Sequence, residues 1–137
     1  MKIILIRPGM TEGNLKRRYI GTTDEDLINT DCLKGDYPKC ERVVASPLKR
    51  CIQTAEYIYP NVDIEICDKL KECDFGDFEN KSYEDLKDNP DYQKWIDSNG
   101  ELPFPNGETH EDFKNRCKDG FFESLTERDT AFVIHGG

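Results

Sequence analysis

The 137-residue sequence has no long apolar run, no Cys-x-x-Cys pair, no basic stripe and only two histidines. Each absence removes a class of function. No apolar stretch approaches the ~20 residues that a membrane-spanning helix needs. Two histidines and six unpaired-looking cysteines (Cys32, Cys40, Cys51, Cys67, Cys73, Cys117) show no metal-site spacing, and the thiols read as free. Net charge is −9 and unevenly placed: residues 1–69 hold 11 Lys+Arg and 11 Asp+Glu, whereas residues 70–137 hold 8 against 17. Nucleic acid and acidic membrane surfaces are therefore poor partners, and any anion site must be local, built from a few cations in the neutral half. There is no internal repeat, linker or low-complexity segment. The amino terminus runs straight into a predicted strand with no apolar h-region or cleavage site, so one cytoplasmic domain is expected over 1–137.

Four strands can be read from short apolar runs bounded by turn residues. They fall at 2–7, 43–46, 63–66 and 131–134, and the continuous aliphatic character of the first, second and fourth marks strands buried on both faces. After Val43-Val44-Ala45-Ser46, Pro47 suits a first helical position, and Leu48, Cys51, Ile52, Ala55, Ile58 and Tyr59 recur at helical spacing up to Pro60. Helical pieces follow at 83–86 and 91–95, and Thr109 can cap a helix running to about 125. A short helical turn is predicted at 14–18, while Gly35 and Pro38 argue against a long helix over 31–41. Strand–helix alternation predicts an α/β fold: a mostly parallel sheet with helices on both faces, three layers in all.

Arg7, Ser46 with Arg50 close behind, and His135 all follow predicted strands. If these strands end at one sheet edge, Arg7, Arg50 and His135 surround one pocket, where α/β folds keep their ligands. Two guanidinium forks suit a dianionic phosphate, because each can donate bidentate hydrogen bonds that a lysine cannot match. Glu72, flanked by Phe75 and Phe78, suits a proton donor if burial raises its pKa. His110 is expected to be solvated in a first helical turn, Trp95 to sit in the core or a pocket wall, and the acidic 84–91 segment to face solvent.

Arg7-x-Gly9-x-Thr11-x-x-Asn14, Gly21-x-x-Asp24 and Ser46-Pro47-Leu48-x-Arg50-Cys51-x-Gln53-Thr54-Ala55 resemble the histidine phosphatase (phosphoglycerate mutase-like) superfamily. The likeness continues through Leu70-x-Glu72-x-Asp74-Phe75-Gly76-x-Phe78-Glu79, Gly107-Glu108-Thr109, Arg116 and Val133-Ile134-His135-Gly136-Gly137. The 74–95 blocks are most similar to the α-ribazole-5′-phosphate phosphatases of cobalamin synthesis. The resemblance implies that Arg7, Arg50, Asn14 and His135 hold phosphate and that Glu72 protonates the leaving oxygen. It implies no metal or cofactor, and a small phosphorylated metabolite or free phosphate as ligand. Thr11, Gly21 and Glu108 are candidates for the substrate pocket, with loop ordering an equal reading for Glu108.

Three departures accompany the resemblance. Pro8 occupies the position of the attacking histidine, and proline offers no nucleophile and no backbone N–H. The 27–43 connection is short where relatives carry a helix. Relatives also continue beyond His-Gly-Gly with a strand and a closing helix, so a C-terminally truncated fold with an open apolar edge, prone to self-association, is expected. Three readings stay open: an impaired phosphatase of a small phosphate monoester, a non-enzymatic pseudophosphatase that binds anions or partners, and a truncated product without function. A phosphoglycerate mutase is the less favoured ancestry, because the Glu72–Gly107 span is short.

Overall fold

β-Branched and aliphatic runs form four strands: β1 (Ile3–Ile6), β2 (Arg42–Ala45), β3 (Ile64–Ile66) and β4 (Thr130–Val133). The computed structural model describes residues 1–136. Every pairing is parallel, in the order β1-β4-β2-β3, with Thr130 opposite both Ile3 and Arg42, and Val43 opposite Ile64. The middle strands β2 and β4 have both faces covered, which is why they read as unbroken apolar runs.

Side-chain alternation divides the core between two faces. Ile6, Val43, Ala45, Ala131 and Val133 lie under Cys51 and Ala55 of helix α2 (Lys49–Ile58) and Tyr59, its C-cap. Val44 and Phe132 point the other way, against Leu70 and the Phe121 ring of helix α5 (His110–Ser124), whose centroid is 4.9 Å from that of Phe132. The result is the three-layer α/β arrangement that the sequence predicts, with helices on both faces of a parallel sheet. A third cluster of Phe78, Leu86, Tyr92 and Phe104, with Tyr19, Phe75 and Trp95 against it, holds residues 73–104 together through edge-on aromatic contacts. Trp95 is thus a core residue, and its indole N–H is buried without a partner among the described residues.

Local capping explains the remaining helices, which are α1 (Glu12–Leu15), α3 (Tyr83–Leu86) and α4 (Pro90–Asp97). Thr11 and Ser82 each form a capping box, and Asn89 caps α4 with Pro90 at its first position. Thr109 caps α5 by accepting the Asp112 N–H. Pro47 does not open α2 as the sequence reading has it. Leu48 is the N-cap and offers no side-chain acceptor; Asp24, from a distant loop, accepts the Lys49 N–H at 2.7 Å instead. Residues expected as plain loop contain 3-10 turns at Asp68–Leu70 and Gly76–Phe78, and the short 27–43 connection holds another at Asp31–Leu33.

The sheet stops at β1, whose outer edge is unpaired among the described residues. Ile3 and Leu5 face the α5 side, and α5 does not reach over them: Leu5 is 64% exposed and Phe122 66%. No helix among the described residues is long and apolar enough to cross a membrane. Because Phe132 is fully buried between β4 and α5, Phe132→Ala is expected to cost about 3–5 kcal/mol. That is a large part of the stability of a domain this size, and urea denaturation followed by circular dichroism measures it.

Candidate active site

The carboxyl ends of β1 and β4 and the first turn of α2 converge on a polar cleft of about 440 Å³ lined by Arg7, Pro8, Asn14, Arg50, Glu72 and His135. Arg7 leaves β1 into this cleft with its guanidinium against Gly136. A Cβ at Gly136 would lie 2.7 Å from the Arg7 Cζ, so a glycine there allows the close approach. Among the described residues Arg7 has no hydrogen-bond or ion-pair partner.

Arg50 is held differently. It is 3% exposed, and its guanidinium donates to the backbone carbonyls of Gly21 (2.8 Å), Thr23 (2.9 Å) and Ile20 (3.3 Å). Those carbonyls are fixed in turn by Glu79, which accepts from the Gly21 N–H (2.9 Å), the Thr23 N–H (3.1 Å) and the Thr23 hydroxyl (2.6 Å). A Cβ on Gly21 would meet the Cys73 carbonyl oxygen at 2.1 Å, so this loop passes too close to the 73 segment for any other residue. Carbonyl dipoles orient the guanidinium but leave its charge unneutralised. A buried guanidinium with no hydrogen-bonded or ion-paired carboxylate among the described residues is suited to an anion.

Asn14 contributes half of its side chain. Its Oδ1 accepts the Thr11 N–H at 2.9 Å in the capping box, which leaves the amide NH₂ as a donor toward the cleft. His135 Nε2 lies 2.8 Å from the Ser46 hydroxyl and 3.5 Å from the Cys51 sulfur. Burial, reinforced by the positive charge of Arg50, pushes the His135 pKa down to about 3, so the ring is a neutral imidazole at physiological pH. Burial also raises the Glu72 carboxyl above its ordinary value, against the opposing pull of the Cys73 N–H and of Arg50. A carboxyl whose pKa is raised by burial, in a cleft shared with Arg7 and Arg50, is suited to giving a proton to a leaving oxygen.

Pro8 brings no nucleophilic group to the cleft. Cys51 is fully buried and does not line it, with burial raising its pKa to about 12. No cluster of three or more metal-ligating side chains occurs among the described residues.

Three candidates from the sequence do not reach the cleft. Thr11 is fully buried and serves as the α1 cap. Gly21 lies beneath the cleft and supplies a carbonyl to Arg50. Glu108 pairs with Arg116 at 2.7 Å and accepts the Asp74 N–H at 2.9 Å. Burial, the largest single influence, works against its ionisation, but the Arg116 hydrogen bond and charge, the Asp74 N–H and Lys71 together hold the carboxyl below its usual range. Arg116 also donates to the carbonyls of Lys69, Lys71 and Glu72, so the pair positions the segment that carries Glu72. His110 is not simply solvated: it is half-buried, bonded to the Gly100 carbonyl and edge-on to Phe104. Ser46, Glu79 and Asp24 stand in the motif blocks, but no spacing rule assigns them the tasks of seating His135, fixing the Arg50 loop and capping α2.

The state of His135 has a measurable effect on stability. The unfolded ring takes up a proton near pH 6.5, whereas the folded ring resists until about pH 3. Between those values the unfolded chain binds more protons, so stability falls as pH falls through this window. Comparing the parent with His135→Gln in urea melts from pH 7 to 4 should show the steeper acid loss in the parent. The difference should reach about 2 kcal/mol at pH 5; equal slopes would mean a ring that titrates normally.

The profile of the histidine phosphatase superfamily (branch 1) matches residues 3–137. No curated protein sequence matches the chain. Among solved structures, the α-ribazole phosphatase from Shigella flexneri is similar at a TM-score of 0.84 and 26% identity, over 98% of this chain and 74% of that one. A Thermus thermophilus protein described as a phosphoglycerate mutase gives a TM-score of 0.78 at 29% identity, over 100% of this chain and 79% of its own. With a match that starts in the first strand and runs through the His135 turn, the chain belongs to the histidine phosphatase superfamily.

Proposed function

We propose that the cleft is a phosphate-monoester site of the histidine phosphatase type in which Pro8 stands where the attacking histidine belongs. The chain then binds its ligand and turns it over little or not at all. The observation that carries this reading is the pair of guanidinium groups, Arg7 and Arg50, lining one cleft with no carboxylate partner among the described residues, in a protein of net charge −9. A dianionic phosphate supplies the missing countercharge, with Asn14 and neutral His135 as further donors.

With a histidine at position 8 the chemistry closes. The imidazole nitrogen attacks phosphorus, a P–N bond forms, and the ester P–O bond breaks as Glu72 gives its proton to the departing oxygen. Water then attacks the phosphohistidine, the Glu72 carboxylate accepts its proton, and phosphate is released. Pro8 removes the first step while leaving the electrostatic frame for the transferring group. Among small metabolites α-ribazole 5′-phosphate is the favoured ligand. The support is the similarity to the Shigella flexneri α-ribazole phosphatase over nearly the whole chain. The short Glu72–Gly107 span favours phosphatase over the cofactor-dependent mutases, which by resemblance carry a long insertion there.

Pro8→His should produce phosphatase activity on α-ribazole phosphate or 4-nitrophenyl phosphate. The parent should be lower by up to about 10⁶-fold, the scale of losing a covalent nucleophile in a well-studied hydrolase. Glu72→Gln in that background should reduce kcat by about 10²–10⁴-fold. Arg7→Ala, at an exposed position, should weaken vanadate binding by the parent about 10- to 100-fold. Silence of Pro8→His together with undiminished vanadate binding by Arg7→Ala would sink the proposal.

A further inference from the structure

The sheet has two open edges among the described residues, and they differ in kind. β3 is three residues long and carries Glu65, tied to Arg42 at 2.6 Å, between Asp63 and Asp68. A short, charged strand is a poor template for a further one. β1 has no such guard, because Ile3–Ile6 is wholly aliphatic, with no charge and no proline. Leu5 also opens onto an apolar groove of about 310 Å³ that it shares with Phe121, Phe122 and Ile134. We propose that β1 is an interface at which two copies of this chain pair antiparallel, about a two-fold axis at Ile4, joining their two sheets into one.

The register follows from the backbone. Parallel pairing with β4 takes up the inner groups of Lys2, Ile4 and Ile6, so Ile3 and Leu5 point their N–H and C=O groups outward. An axis at Ile4 sets Ile3 opposite Leu5 of the second copy, and Leu5 opposite its Ile3. In each of these pairs the two residues exchange both N–H···O=C bonds. Side chains keep to their own faces: Ile3 and Leu5 of both copies meet on the α5 side, and the two Ile4 side chains on the α2 side. Moving the axis to residue 3 or 5 leaves Leu5 or Ile3 opposite a residue outside the strand. Placing it between two residues sets outward groups against ones already bonded to β4 and mixes the two faces.

The occupant is a second copy because β1 is its own complement. At net charge −9 the chain repels its copies over most of its surface, but residues 1–7 hold Lys2 and Arg7 and no acid. In this register Lys2 lies opposite Ile6 of the second copy and Arg7 opposite its Met1, so no like charges face each other. Ile3, Leu5 and Phe122 expose on the order of 250 Å² of apolar side chain per copy. With the strand backbone the contact reaches roughly 500 Å² per copy, against about 800 Å² in a standard stable interface. That puts the dimer among the weak, reversible ones, with a Kd of roughly 10–100 μM. Both copies offer the same strand, so the pairing closes at two and does not propagate.

Sedimentation of the 137-residue chain from about 1 to about 500 μM should resolve a monomer–dimer equilibrium. Added salt should tighten it, because screening relieves the repulsion between two acidic bodies. Leu5→Lys, at an exposed position, should weaken pairing at least about 50-fold. Residue-resolved amide exchange, without phosphate, reads the register. Ile3 and Leu5 should slow about three-fold or more at the high concentration, while Ile4 and Ile6, whose N–H groups face β4, stay unchanged. Should Leu5→Lys fail to fold, that exchange pattern in the parent decides alone. A chain monomeric throughout, its edge bare or taken by a different polypeptide, overturns the proposal. So does a dimer that salt weakens, that Leu5→Lys leaves intact, or that forms without slowing Ile3 and Leu5. Species that grow beyond the dimer would overturn it too, since this pairing closes at two.

Discussion

Everything at the site depends on how Arg50 is buried. A guanidinium that is 3% exposed and lacks a carboxylate would ordinarily be costly. Here three carbonyls from residues 20–23 accept its hydrogens, and Glu79 fixes those carbonyls by taking the N–H groups of the same loop. The negative charge that balances Arg50 is thus kept one layer away, behind the backbone. That separation preserves positive potential in the cleft. A carboxylate in direct contact with Arg50 would have cancelled it.

The same loop links the site to the rest of the fold. Asp24 caps α2 and Asp26 accepts from Gln53, so residues 20–27 are tied to the helix that carries Arg50. The Glu108–Arg116 pair does a parallel task for Glu72 by gripping the carbonyls of residues 69–72. Glu72 and Arg50 are each positioned by charged residues that do not line the cleft. The preorganisation extends well beyond the groups that would meet a ligand.

The strands were legible because β2 and β4 are buried on both faces and carry unbroken aliphatic runs; their ends shifted by one residue at most. Arg7, Arg50, Asn14, Glu72 and His135 lie in one cleft; the pattern of polar residues following strands pointed to Arg7, Arg50 and His135, the Phe-flanked loop to Glu72, and the family resemblance to Asn14. What the chain order hid were long-range partners. Thr11 and Gly21 stand in the motifs beside residues that line the cleft, yet one is an α1 cap and the other lends its carbonyl as an acceptor for the Arg50 fork. Asp24 as a cap for Lys49 was equally invisible, since capping rules look to the residue just before the helix.

The unpaired edge of β1 bears on the clamp itself. The carbonyls of Lys2 and Ile6 accept from β4, at the Thr130 and Ile134 N–H groups, so the alternating backbone groups of Ile3 and Leu5 point outward to solvent. Arg7 therefore hangs from an edge strand, while Arg50 and His135 follow the central strands β2 and β4. Edge and central parts of a sheet commonly open with different free energies. A phosphate bridging the two guanidinium groups would tie the edge strand to the centre. Part of its binding energy would then appear as slowed amide exchange along Ile3–Ile6, so that order at the edge and occupancy of the cleft rise and fall together.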